Sequence, residues 1–163
     1  FNPPSLGHKS VIDSLAHFDK ILLVPSIAHA WGKEMLDFDT RCQLVEAFIS
    51  DLLLDQVELS LVEKGLFTPG ESVTTYAVLS QLQKQHPEAE LTFVIGPDNF
   101  FKFSSFYKSD EITERWSVMA CPEKVKIRST DIRHALQNGS NVAKLSTKSV
   151  TRILQDSELY TII

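Results

Sequence analysis

Two stretches of the 163-residue chain combine side chains whose type and spacing could hold an anion, and a third is a turn after a strand, which alone is more often only a turn. The first is Phe1-Asn2-Pro3-Pro4-Ser5-Leu6-Gly7-His8, where two prolines fix the backbone before a small hydroxyl residue, a glycine and a helical pattern starting near His8. Such a turn can wrap closely around a phosphate, with the positive end of the helix facing it and His8 adding a ring N–H. Read alone, it is also what a proline-rich loop with a solvent histidine looks like. The second is Ile127-Arg128-Ser129-Thr130-Asp131-Ile132-Arg133, an extended segment running into a helix. There Ser129 or Thr130 can cap the helix while hydroxyls, N–H groups and Arg133 face an anion together. The plain alternative is an N-cap with two surface arginines, with Ile132, Ala135 and Leu136 as the core face. The third is Gly96-Pro97-Asp98, directly after the apolar run Leu91 to Ile95.

Gly7-His8-Lys9-Ser10 invites comparison with a P-loop, but His8 separates the glycine from the lysine and the earlier glycine is missing, so that reading is rejected. His17, His86 and His134 have no spacing that builds a metal site.

The elements around these turns alternate between helical and strand-like patterns, which argues for an α/β fold: a parallel sheet with helices on both faces. Val11, Ile12, Leu15 and Phe18 predict a helix over 8–18, and Ile21 to Val24 a buried strand. Asp39 or Thr40 is expected to cap a helix whose inner face is Leu44, Val45, Phe48, Ile49 and Leu52. Val57 to Val62 alternates as a strand, Val73 to His86 as a helix stopped at His86-Pro87. Leu91 to Ile95 predicts a central strand, 110–115 a short helix, and 116–120 a strand. Ser129 to Gln137 predicts a helix ended by Asn138-Gly139, and a last helix carries Val150, Ile153 and Leu154. In such sheets ligands sit beyond the carboxyl ends of the strands, where helix N-termini offer unpaired N–H groups.

Composition narrows the class. The length suits one domain, and 43% apolar with 23% charged residues is ordinary for a soluble protein. A net charge of −5 argues against a broad nucleic-acid surface, so any phosphate site is local. Cys42 and Cys121, without a Cys/His cluster, read as free thiols of a reducing compartment. No stretch suits a bilayer span or an export signal, and the cytoplasm is expected. The chain enters a motif at Phe1 without a methionine, which implies that a first strand upstream is missing.

Taken together, the two corner segments resemble the signatures of the nicotinate and nicotinamide mononucleotide adenylyltransferases. The first is similar to that family's Gly-x-Phe-x-Pro-x-(His/Thr)-x-Gly-His, the second to its Ile-Ser-x-Thr-x-Ile-Arg, in the required order. Phe93-Val94-Ile95-Gly96-Pro97-Asp98 looks like its strand ending in Gly-x-Asp, so the resemblance runs along nearly the whole chain. It implies a single Rossmann-like nucleotidyltransferase domain over 1–163. It also implies transfer of AMP from ATP to NMN or NaMN, with pyrophosphate released and Mg²⁺ arriving with ATP.

By the resemblance, His8 contacts the ATP phosphates with help from Ser5 and Gly7, while Ser129, Thr130 and Arg133 grip them from the other side. Gly96 and Asp98 border the nucleotide, together with Asn2. The stretch Ser26 to Lys33 takes the place of the family's substrate loop, with Lys33 reaching phosphate and Trp31 either stacking on the pyridine or lying under the loop. Arg41 orders that loop or touches phosphate. Thr75 bonds the mononucleotide or merely starts a helix, and Phe106 stands where relatives stack an aromatic ring.

Ser5 departs from the pattern, which has His or Thr there, and the stretch Cys121 to Lys126 is short. Two other readings are kept. One is a phosphopantetheine adenylyltransferase, since that sister family shares the first signature. The other is a sensor module that binds NMN or ATP without turnover.

Overall fold

The computed structural model describes residues 1–28 and 35–161. In chain order the helices and strands are α1 (Leu6–Asp13), β1 (Ile21–Leu23), α2 (Phe38–Asp51), β2 (Val57–Leu59), α3 (Val62–Leu66), α4 (Thr75–Gln85), β3 (Thr92–Ile95), α5 (Pro97–Phe101), α6 (Ser109–Arg115), β4 (Ser117–Ala120), α7 (Ser129–Gln137) and α8 (Lys148–Asp156), with a 3-10 turn at Phe103–Ser105 before α6. The fold is α/β with parallel strands, as the alternating pattern predicts. The described residues fall into two compact units, one from 1–25, 35–60 and 123–161, the other from 26–28 and 61–122.

In the first unit β1 and β2 pair in parallel, Ile21 opposite Val57 and Leu23 opposite Leu59. Parallel strands need a long crossover, and α2 provides it, packing on both β2 and α8. Its apolar stripe Leu44, Val45 and Phe48 is fully buried, as are Val150 and Leu154 of α8, the helix it packs on. The cap of α2 lies earlier than expected: Asp37, not Asp39 or Thr40, accepts the Thr40 N–H at 2.9 Å and its hydroxyl at 2.7 Å. The predicted helix over 8–18 is shorter and starts sooner, with turns following Asp13.

Helix α8 lacks a side-chain cap of its own. Asp51, the last residue of α2, fills that role by accepting the Ser149 N–H at 2.8 Å and its hydroxyl at 2.6 Å. Asp51→Ala should therefore cost about 0.5–2 kcal/mol, the range for a lost N-cap, measured by urea unfolding. A variant as stable as the native chain would show that this carboxylate does not cap α8.

In the second unit β3 pairs in parallel with β4, from Thr92 opposite Ser117 to Ile95 opposite Ala120. Among the described residues β4 is its only partner, so the expected central strand is one of a pair. Leu79, Ile112 and Trp116 form the core here, with Phe93 and Val118 of the two strands packed on it. The Trp116 indole N–H donates to Gln83 Oε1 at 3.0 Å, so burial of the ring leaves no polar atom unmet. Two sequence expectations are corrected. The strand from Val57 stops at Leu59, and Val62 begins α3, where Glu63 Oε1 accepts the Ile27 N–H at 3.3 Å. Pro97 ends β3 as expected, yet it also opens α5 from the first helical position, where its missing N–H is not needed. Cys42 and Cys121 are both free thiols. Among the described residues no helix is long and apolar enough to cross a membrane.

Candidate functional site

The site is built on the start of α1. Ser5 is its N-cap, with the His8 N–H donating to Ser5 Oγ at 3.3 Å. The reciprocal bond of a capping box comes from an imidazole: the Ser5 N–H donates to His8 Nδ1 at 2.9 Å. A ring nitrogen that accepts an N–H carries no proton, so His8 is held as the tautomer with its proton on Nε2, the far side of the ring. The ring packs against Phe1, centroids 4.7 Å apart. Burial pushes the imidazole down to about 3, so His8 is a neutral donor across the physiological range.

The depressed value carries a stability signature. The unfolded chain takes up a proton near the ordinary histidine value of 6.5 and the folded chain only near 3, so the contribution is complete above 6.5 and is lost as pH falls towards 3. His8→Gln keeps a capping-box acceptor and removes the titration. Native and variant should melt alike near pH 6.5, and as pH is lowered to about 4 the native protein should fall below the variant. A difference in melting temperature that does not change with pH would contradict the assignment.

Segment 1–7 has few N–H groups to offer because of its prolines, and its carbonyls are met by side chains from far along the chain. Arg133 Nη1 donates to the Asn2 carbonyl at 2.8 Å, the Ser129 hydroxyl to Pro3 at 2.7 Å and the Ser146 hydroxyl to Pro4 at 2.7 Å. Ser5 returns the favour, its hydroxyl donating to the Ile127 carbonyl at 2.8 Å. Gly7 lies so near this strand-like segment that a Cβ on it would sit 2.2 Å from the Ile127 oxygen. The glycine and histidine corner and the serine, threonine and arginine corner are thus side by side in one compact unit.

The geometry revises three details. Gly7 is needed for the approach of the protein's own backbone, which the turn-around-phosphate argument did not foresee. Ser5 is 1% exposed with its proton committed to Ile127, which makes it a brace between the two corners. Ser129 does not cap α7: Arg128 holds the cap position, its N–H donating to Asp131 Oδ2 at 2.8 Å, and the Ser129 hydroxyl goes to Pro3 instead. Thr130 is exposed in the first turn and accepts from Arg133 Nη2 at 3.2 Å. Helix α7 leaves the first-turn N–H donors that every helix carries beside these two residues.

Two residues of this corner escape sequence reading. Ser10 is buried; its hydroxyl donates to Gly7 and accepts the N–H groups of Lys124 and Val125 at 3.1 and 3.2 Å, which ties the short stretch before Ile127 to α1. Its only sequence signal is a hydroxyl one turn after a glycine. Ser146 has none. Arg41 is 3% exposed and donates from Nε to the Leu36 carbonyl at 2.8 Å, so it orders the chain just before α2.

Thr75, Gly96, Asp98 and Phe106 belong to the other unit. Thr74 caps α4 and Thr75 is its first residue. Gly96 holds the N-cap position of α5, and Asp98 is exposed in its first turn. The Phe106 ring packs on Phe103 and Phe93, centroids 5.1 and 6.4 Å away. Trp31 and Lys33 lie outside the described residues. Among those described, no group of three His, Cys, Asp or Glu side chains is placed to hold a metal.

The family described as cytidylyltransferase-like matches residues 1–135. A Lactiplantibacillus plantarum protein named "Probable nicotinate-nucleotide adenylyltransferase" is 27% identical over 98% of this chain and 84% of its own length. An Anaeromyxobacter sp. protein of the same name is 25% identical over 98% and 92%. A crystal structure from Vibrio parahaemolyticus, provisionally named a nicotinate-nucleotide adenylyltransferase, is 55% identical, with a TM-score of 0.89 over 100% of this chain and 91% of that one. The Plasmodium falciparum nicotinic acid mononucleotide adenylyltransferase complexed with NaAD has a TM-score of 0.77 at 15% identity, covering 98% and 93%, a likeness of fold alone.

Proposed function

We propose a function from the premise that this chain belongs to the cytidylyltransferase-like family: it is a nucleotidyltransferase that moves AMP from ATP to a pyridine mononucleotide. The names of its relatives favour the nicotinate form, NaMN, over NMN. The observation that carries the reading is the direct bonding of the first motif to the second, through Ser5 to Ile127, Ser129 to Pro3 and Arg133 to Asn2.

In the reaction a phosphate oxygen of the mononucleotide attacks the α-phosphorus of ATP in line. A new P–O bond forms, the bond from the α-phosphorus to the bridging oxygen breaks, and pyrophosphate leaves with the electron pair. The attacking phosphate is already largely ionised at neutral pH, its second pKa being about 6, so no general base is needed. What remains is alignment and neutralisation of charge. We assign His8 Nε2–H and the Arg133 guanidinium to the triphosphate, with the first-turn N–H groups and the Thr130 hydroxyl beside them. Ser5, Gly7 and Ser129 hold the corner in shape. Lys33, Trp31, Thr75, Gly96, Asp98 and Phe106 are proposed nucleotide contacts on the strength of the motif resemblance. Mg²⁺ enters as part of the substrate MgATP, bound mainly by phosphate and water. One nucleotidyltransferase domain working in the cytoplasm is the organisation we propose.

The test is pyrophosphate release from MgATP by the purified chain, with NaMN, NMN and phosphopantetheine compared. Turnover with a pyridine mononucleotide supports the reading. Turnover with phosphopantetheine alone would replace it with the sister activity, and ATP binding without turnover would leave a sensor.

A further inference from the structure

Beyond the residues that the family model matches, the chain returns to the first motif through a turn after α8. We propose that Tyr160 in this turn is a positioning residue of the phosphate corner, its hydroxyl fixing the side chain of Asn2 for nucleotide binding. The inference rests on the function proposed above.

Tyr160 Oη donates to Asn2 Oδ1. A carboxamide whose oxygen is taken in this way has its Nδ2 end left as the donor, and a donor is what an anionic nucleotide requires. The Asn2 carbonyl is held at the same time by Arg133, which also bonds Thr130 Oγ1. Tyr160 is therefore connected through one residue to both side chains of the second motif assigned to phosphate. Burial raises the phenol above its ordinary value, so it remains a protonated donor.

The turn is built to deliver this ring. Glu158 and Tyr160 both have left-handed backbones, φ 49° and 61°, a conformation that non-glycine residues adopt only when their surroundings hold them there. The holding bonds are Glu158 N–H to the Gln155 carbonyl and Leu159 N–H to the Leu154 carbonyl, at 3.3 and 3.1 Å, which fasten the turn to the end of α8. Helix α8 is packed on α2, so the support reaches the core of the unit.

The experiment is calorimetric titration of the full chain with MgATP, for the native protein, Tyr160→Phe, Asn2→Ala and the double variant, with melting temperatures recorded for all four. Tyr160→Phe should weaken ATP binding by about tenfold while melting close to the native temperature. In the Asn2→Ala background the same change should add almost nothing, because the two residues act as one. Unchanged affinity in Tyr160→Phe overturns the proposal, and so does a loss of equal size in both backgrounds, which would be simple packing. If the native chain itself binds no ATP, the proposed function fails and this inference with it. Native binding that Tyr160→Phe leaves untouched defeats the inference alone.

Discussion

His8→Ala should leave a folded protein that transfers AMP more slowly by about 100-fold or more, the scale on which a lost transition-state donor is felt. The loss falls mainly on kcat, because the ring N–H is assigned to charge that grows on the phosphates as the bond to the leaving group lengthens. Alanine also removes the acceptor for the Ser5 N–H, so a modest fall in stability, about 1 kcal/mol, accompanies it. His8→Gln separates the two roles. Glutamine is a natural partner in a capping box and should preserve the start of α1, yet it cannot present a rigid N–H from the far side of an imidazole. The expected pair of results is a melting temperature near native for His8→Gln and steady-state transfer as poor as that of His8→Ala. Native turnover in either variant would remove His8 from the mechanism.

Gly7→Ala should be the more disruptive change despite adding one methyl group. Real Cβ atoms do not come within 3.0 Å of another heavy atom, and this one would meet the Ile127 oxygen at 2.2 Å and the Val125 oxygen at 3.1 Å. Both are backbone, so no side chain can swing aside. Either the first turn of α1 or the segment leading into α7 has to move, and each carries half of the proposed phosphate site. Overpacking costs about 1–3 kcal/mol, and displacement by about 1 Å at a reacting centre is worth roughly 100-fold in rate. The expected outcome is a lower melting temperature together with loss of ATP binding by calorimetry. Gly65→Ala in α3 is the control, since nothing lies within 4 Å of its added Cβ and it should be neutral or mildly stabilising. An alanine at position 7 that binds ATP like the native chain would mean the two corners are not coupled through this contact.

Much of the fold was legible because periodicity and stop signals are local. Helix α7 runs from Ser129 to Gln137 as the pattern predicts, and Gly139 beyond it has the left-handed φ of 69° expected of a helix-ending glycine. What was lost depended on distant partners. The Ser129 hydroxyl is a good cap by type, but the Pro3 carbonyl 126 residues away claims it. Alternation from Val57 to Val62 resembles a longer strand, and only the burial of Val62 and Glu63 in another unit turns the chain into α3. The motifs located the candidate site, whereas Ser10, Ser146 and Tyr160 were invisible because a hydroxyl says nothing about which carbonyl or amide it will meet. Ser5 is expected by the motif to assist His8 at the phosphates, and that its single proton is used at Ile127 depends on a carbonyl 122 residues away.

The proline-rich turn also constrains the timing of assembly. Its carbonyls at Asn2, Pro3 and Pro4 are satisfied by residues 131, 126 and 142 positions further on. During synthesis on the ribosome the turn therefore leaves the exit tunnel long before its partners exist, and it has to wait in water, unfixed. Contacts this remote in sequence are slow to close and come late in folding. Binding competence is then acquired only once Ser146 has emerged, and a nascent chain released before it would carry the first motif in full without its architecture.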